Sequence, residues 1–218
     1  MNPTSSRRGA GNVMRPQNHL YLPDNDLKQM WLDSIGKDNV ALILGDNIFH
    51  GMPRVKPLLE GAIIFAYEVN DPKSYGVIEF DSENNVISIE EKPAEPKSNY
   101  AIPGLYFYDK KVVQYAKSLN PSSRGELEIT DLNLIYLDKK QLTAVKFAKG
   151  TAWLDAGSAE TLFESSAYIQ AIQSRQGIKI GCIEEECFKR KLINKAQLQC
   201  LIDKAPESAY KKYLNKLL

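Results

Sequence analysis

Apolar residues fall in short blocks along the first part of this chain and in helical stripes along the last part. Residues 40–44 (VALIL) form a continuous apolar run stopped by Gly45-Asp46-Asn47, and such runs predict a strand buried on both faces, as in a parallel sheet. Residues 62–69 (AIIFAYEV), 76–80, 86–90 and 101–108 predict four further strands, separated by the turn-rich Asn70-Asp71-Pro72 and residues 81–85. Asn84-Asn85 predicts a hairpin, because asparagine tolerates the left-handed backbone of a tight turn. Helical spacing follows. Leu127, Leu134 and Ile135 lie on one stripe of residues 125–138, and Ser158 offers an N-cap to a segment with Leu162, Ile169 and Ile172 on one face. Both stripes are expected to face a core. Beyond Gly177 the pattern predicts a short strand over 178–180 and helices over 184–193, 195–203 and 207–218. Alternating strands and helices predict an α/β fold.

Composition adds limits to this picture. The 218 residues are 43% hydrophobic and 25% charged, which excludes disorder as the main state. With 28 Lys+Arg against 27 Asp+Glu, the formal charge is +1, so bulk charge points to neither nucleic acid nor a membrane surface. No run approaches the roughly 18 apolar residues of a membrane span, and the first 17 residues lack the apolar centre of a secretory signal. A cytoplasmic protein is the expectation. Cys182, Cys187 and Cys200 lack the paired spacing of a zinc site and read as buried free thiols. Residues 1–35 look loose: Arg7, Arg8 and Arg15 stand among Gly, Ser, Asn and Pro without apolar periodicity, and read as a solvated arm rather than a phosphate-binding one.

Candidate chemistry gathers at strand ends. Open α/β sheets bind ligands outside the carboxyl ends of their strands, where Leu44-Gly45-Asp46-Asn47 puts a carboxylate. Asp46 either holds Mg²⁺, which takes one or two carboxylates plus phosphate oxygens, or caps the following turn. Ala152-Trp153-Leu154-Asp155 ends in a second aspartate, which either completes that metal site or favours the following helix through its dipole. After the strand at 86–90 comes Glu90-Glu91-Lys92-Pro93. Spacing alone reads it as a surface ion pair, while the alternative gives Lys92 to a phosphate and a glutamate to sugar hydroxyls. Arg124 opens a helix, where an anion is favoured. His19 and His50 fit no nucleophile or metal pattern.

Six strings carry a resemblance: LGDN (44–47), DPKSYGVIEFD (71–81), EEKPAEPKSNYA (90–101), GLYFYD (104–109), PSSRGELEITD (121–131) and AWLDAG (152–157). In order and spacing they resemble the glucose-1-phosphate thymidylyltransferases, from about residue 36 onward. The resemblance implies a Rossmann-like mixed α/β sheet flanked by helices, of the nucleotide-diphospho-sugar transferase type. It implies joining of dTTP to glucose 1-phosphate with release of pyrophosphate, giving dTDP-glucose for deoxysugars such as rhamnose. By the same carry-over Asp46 and Asp155 bind Mg²⁺. Tyr75, Gly76, Glu91, Ile102 and Trp153 line the sugar, and Lys92 and Arg124 hold its phosphate. A homo-oligomer, a homotetramer in the family, is implied, with residues 36–176 as the sugar-phosphate and metal part and 177–218 as a helical oligomer contact.

The chain also departs from that family. The opening strand and glycine-rich loop LAGGxGTRL, which cradle the triphosphate, do not occur in it, and at roughly 30 residues per βαβ unit about two units differ. Residues 25–30 (NDLKQM) replace the segment that touches the base, the connection over 51–61 is shortened, and Pro103 stands where a threonine is expected. These departures imply an N-terminally truncated or rearranged member. They leave open an inactive remnant that binds sugar phosphate or assembles with intact subunits.

Overall fold

The computed structural model describes residues 38–52, 60–122, 125 and 127–218. The expectations for residues 1–35, for most of the connection over 51–61 and for Arg124 lie outside these residues. The chain divides into two compact units, one through Gly157 and one from Ser158 to Leu218. The expected division after residue 176 differs in where it puts the long helix.

The first unit is built on β3 (Ala62–Glu68). Its run is continuously apolar because both faces are covered. Ala62, Ile64 and Ala66 join a cluster with Ile78, Ile89, Tyr106, Leu132 and Tyr136. Ile63 and Phe65 face the other way, with Leu105, Phe49, Met52 and Phe147. Alternation along a strand produces this division. On one side β3 pairs in parallel with β8 (Leu142–Lys146). On the other it pairs antiparallel with β7 (Leu105–Tyr108) at its start and β6 (Tyr100–Ala101) at its end. Beyond β7 lies β1 (Val40–Ile43), and beyond β6 lie β4 (Gly76–Phe80) and β5 (Val86–Glu91), completing seven strands. Helices α1 (Val112–Ser118) and α2 (Ile129–Asp138) contribute Val112, Leu132 and Tyr136 to the core.

The mixed α/β class is as expected, and three details differ. First, β1 is antiparallel to β7 and packs on one face only: Val40 and Leu42 touch the core, whereas Ile43 is 55% exposed. Second, the run over 101–108 is two strands. Pro103 cannot donate to a ladder, and the chain leaves the sheet over 102–104. The sheet forks there, β1 following β7 and the β4–β5 hairpin following β6. Third, the helix expected from 125 begins at Ile129. The β4–β5 hairpin forms as the sequence predicts, with Asn84 at φ 65°. A separate ribbon pairs β2 (Asn47–His50) with β9 (Ala152–Asp155).

The second unit is helical: α3 (Ala159–Gln176), α4 (Ile183–Lys189), α5 (Lys195–Lys204) and α6 (Ala209–Asn215). A reciprocal Ser158/Thr161 capping box starts α3, and Gly177 at φ 67° ends it. The expected strand over 178–180 is a loop; its Ile180 amide donates to the Gln173 side chain instead of a neighbouring strand. Leu162 on the expected buried stripe of α3 is 53% exposed. Cys182, Leu198, Ile202 and Leu214 form the core of this unit. Of the three thiols only Cys182 is buried; Cys187 is half-buried and Cys200 exposed.

Candidate active site

The β2–β9 ribbon brings two distant aspartates together. Its register sets Asn47 opposite Asp155, and the Ala156 amide donates to the Asp46 carbonyl at 2.8 Å. Both carboxylates converge on Gly157: a Cβ there would lie 3.2 Å from Asp155 Oδ1 and 3.7 Å from Asp46 Oδ2. A side chain at this position would occupy the space the two carboxylates share. Burial, and then the charge of Asp46, raise the Asp155 pKa, opposed by the Gly157 amide and by Lys92. Two neighbouring carboxylates with one opposing lysine favour a cation between them. Among the described residues no group of three or more His, Cys, Asp or Glu forms a metal cage. The donor set fits Mg²⁺, which binds through one or two carboxylates and takes its other ligands from water and phosphate.

The sheet fork supplies the neighbouring wall. Gly76 opens β4 opposite Glu91, the last residue of β5. A Cβ on Gly76 would stand 3.4 Å from both Glu91 Oε2 and Thr130 Oγ1, and 3.7 Å from Ile102 Cδ1. A Cβ there would already be in van der Waals contact with all three groups, so what Gly76 leaves open is a recess about one methyl group wide. Thr130, buried in the first turn of α2, donates to Glu91, and the Ile102 amide donates to the Gly76 carbonyl. Strand alternation separates the adjacent carboxylates: Glu90 pairs with Lys97 at the surface, while Glu91 lines the recess. The bland ion-pair reading thus applies to Glu90.

Lys92 follows with φ 42°, its amide donating to the Tyr75 carbonyl at 3.1 Å. A left-handed lysine is held against a local cost of about 1 kcal/mol, and here its charge acts on Asp155. Tyr75 stacks edge-on against Trp153 with centroids 5.0 Å apart. Burial, then Asp155 and Asp71, raise the Tyr75 pKa, so the phenol is a neutral wall at neutral pH. Trp153 also meets Tyr67 with centroids 5.6 Å apart, and its indole N–H donates to Asn47 Oδ1 at 2.6 Å.

Of the residues singled out in the sequence, Asp46, Asp155, Lys92, Tyr75 and Trp153 are linked through these contacts, and Gly76, Glu91 and Ile102 line the recess. Arg124 lies outside the described residues. Three neighbours carried no role in the sequence reading: Asn47, Thr130 and Gly157. Asn47 and Gly157 lay inside the motifs LGDN and AWLDAG, and Thr130 inside PSSRGELEITD. Their types are common at turns and helix starts, so the strings alone did not mark them.

Comparison with known proteins agrees with this geometry. Residues 29–172 match the family model described as nucleotidyl transferase. The chain is 47% identical over 191 residues to the glucose-1-phosphate thymidylyltransferase of Mycolicibacterium smegmatis, covering 85% of this chain and 66% of that protein. With the enzyme of the same name from Neisseria gonorrhoeae it shares 43% identity over 190 residues, 84% and 66% of the respective chains. It therefore spans just under two thirds of these relatives. A Bacillus anthracis crystal structure assigned as a glucose-1-phosphate thymidylyltransferase, in complex with sucrose, superposes with TM-score 0.57 at 38% identity, covering 71% of this chain and 63% of that one. A UDP-glucose pyrophosphorylase holding UDP-glucose shares the fold, with TM-score 0.56 at 23% identity over 68% and 62% of the two chains. Matched by that family model over residues 29–172 and by relatives at 43–47% identity, the chain belongs to the nucleotidyl transferase family.

Proposed function

We propose that the protein binds glucose 1-phosphate at the sheet fork and transfers a thymidylyl group from dTTP to it, forming dTDP-glucose and pyrophosphate. The observation that carries this reading is the grouping of a carboxylate pair, a lysine, an aromatic wall and a carboxylate-lined recess around one site. A sugar phosphate is largely dianionic near neutrality, its second pKa being about 6, so its oxygen attacks the α-phosphorus without a general base. The protein then has to position and neutralise charge. Glu91, oriented by Thr130, accepts from a sugar hydroxyl that approaches over Gly76, where no side chain stands in the way. Trp153 and Tyr75 present apolar faces to the sugar ring and exclude water. Lys92 attracts the phosphate beside the aspartates, and Arg124 joins it by resemblance. Asp46 and Asp155 would hold Mg²⁺, which when bound offsets the charge of the nucleotide phosphates.

The reading extends to a role in supplying dTDP-sugars such as dTDP-rhamnose for polysaccharides, to action in the cytoplasm where nucleoside triphosphates are available, and to a homo-oligomer. No helix among the described residues is long and apolar enough to cross a membrane. The test is incubation with dTTP, glucose 1-phosphate and Mg²⁺. Pyrophosphate release that falls at least about a hundredfold in Asp46→Ala is expected, the loss of several kcal/mol of charge stabilisation. Release no greater than that of Asp46→Ala overturns transfer.

A second reading rests on the same groups, which by themselves are suited to sugar phosphate and metal. In that reading the protein binds sugar phosphate without transferring a nucleotide. Calorimetric binding of glucose 1-phosphate without pyrophosphate release is its signature.

A further inference from the structure

Asn47 makes more side-chain hydrogen bonds within the site than any function assigned so far requires. Its Oδ1 accepts from the Trp153 indole N–H at 2.6 Å and from the Gly104 amide at 2.9 Å, while its Nδ2 donates to Asp46 Oδ1 at 2.7 Å. The orientation of the amide follows from its partners. An indole N–H and a backbone N–H only donate, and an ionised carboxylate only accepts, so one way round satisfies all three. A carboxamide alone among uncharged side chains presents an acceptor on one side and a donor on the other from a planar group this short. Leucine would leave two donors without an acceptor, and aspartate would set a second charge against Asp46.

The same residue is anchored by the backbone around it. Its amide donates to the Leu44 carbonyl at 3.1 Å, and the Leu44 amide donates to the Gly104 carbonyl at 2.9 Å. Gly104 is at the fork, where a Cβ would come within 2.6 to 2.8 Å of three Leu44 side-chain atoms. This close approach brings the Gly104 N–H to Asn47. One carboxamide thus joins the sheet fork, the aromatic wall on β9 and the first carboxylate of the pair.

We propose that Asn47 is a positioning residue that couples the two halves of the site, holding the Trp153 indole and the Asp46 carboxylate in one fixed relation. This rests on the sugar-phosphate reading above for its biological meaning, but not for its test. A cation at Asp46 draws charge from the carboxylate and weakens its acceptance from Nδ2. Hydrogen bonds sharing a group polarise one another, so the change reaches the indole N–H through Oδ1. Metal binding and sugar packing are then linked without any contact between Asn47 and the sugar.

The experiment is a ¹H–¹⁵N spectrum of the tryptophan indoles in the full chain, with Trp153 assigned by Trp153→Phe, during titration with Mg²⁺. In the wild type the Trp153 resonance moves with Mg²⁺. Asn47→Ala shifts it toward the position of a solvent-bonded indole and abolishes the Mg²⁺ response, while the other backbone resonances keep the dispersion of the folded protein. The glucose 1-phosphate dissociation constant rises about tenfold, the effect of losing one oriented contact. Asn47→Asp keeps both acceptor bonds, so its indole resonance stays near the wild-type position while the Mg²⁺ response changes; this variant decides the matter if the alanine form does not fold. An unshifted Trp153 resonance in Asn47→Ala, an equal Mg²⁺ response in both proteins, or no response in the wild type overturns the proposal. Failure of nucleotide transfer is read separately, from pyrophosphate, and leaves these signals to stand by themselves.

Discussion

Asp155 meets opposing demands. Burial and the neighbouring Asp46 raise its pKa above 3.8, so from 3.8 upward to the folded value the native state binds more protons than the unfolded chain. Stability from this group is full below the unfolded value and is lost as pH rises through the folded one. Asp155→Asn is therefore expected to flatten the fall in melting temperature across that window, measured without divalent ions as the difference from the wild type. Adding Mg²⁺ should raise the wild-type melting temperature and leave Asp155→Asn unchanged, by mass action on the folded state. Thr130 allows a second check. Thr130→Val keeps volume but removes the hydroxyl that orients Glu91, and calorimetry should show glucose 1-phosphate binding weakened about tenfold, near 1.4 kcal/mol. Position at strand ends marked Asp46, Asp155, Lys92 and Glu91 as candidates but left bland readings open for each, and only the resemblance of whole motifs gave them roles. The donors and acceptors that orient them, Thr130 and Asn47, were not marked, since their roles exist only when a partner 39 or 106 positions away is in place.

At the scale of elements, strands and turns followed local rules closely. β3 reads as an uninterrupted apolar run because it has two covered faces, and the β4–β5 hairpin follows from its asparagines. β1 has the same kind of apolar run as β3 but one packed face, and nothing within five residues tells these cases apart. The join of β3 to its neighbours depends on Gly61. Its φ is 91°, an added Cβ would lie 2.5 Å from the Gln141 carbonyl oxygen, and its amide donates to the buried Asp109 at 2.9 Å. Gly61→Ala is expected to destabilise the first unit by about 2 kcal/mol or more, checked by urea unfolding. The division of residues 101–108 into β6 and β7 was half legible. Pro103 marks a break in a ladder, but that the break opens the sheet into a fork follows from the pairing of β6 with β4 and of β7 with β1.

For the whole molecule, two compact units each have a core. Leu198 is fully buried in the helical unit, and Leu198→Ala should cost about 2–5 kcal/mol there. Hydrogen exchange is expected to quicken over α5 and α6 while β3 keeps its protection; equal loss in both units would show one cooperative structure. The sequence by itself determined the mixed α/β class, because alternation and turn residues are properties of a few neighbouring positions, and the family, because six motifs stand in order and spacing; it nominated the candidate site residues. Tertiary structure alone decided that Asp46 and Asp155 converge on Gly157, that Glu90 turns to Lys97 while Glu91 meets Thr130 beside Gly76, and that the sheet forks between β6 and β7. Those facts depend on strand register and on packing between segments far apart in the chain, where shifting one strand by a single residue would turn every side chain to the opposite face.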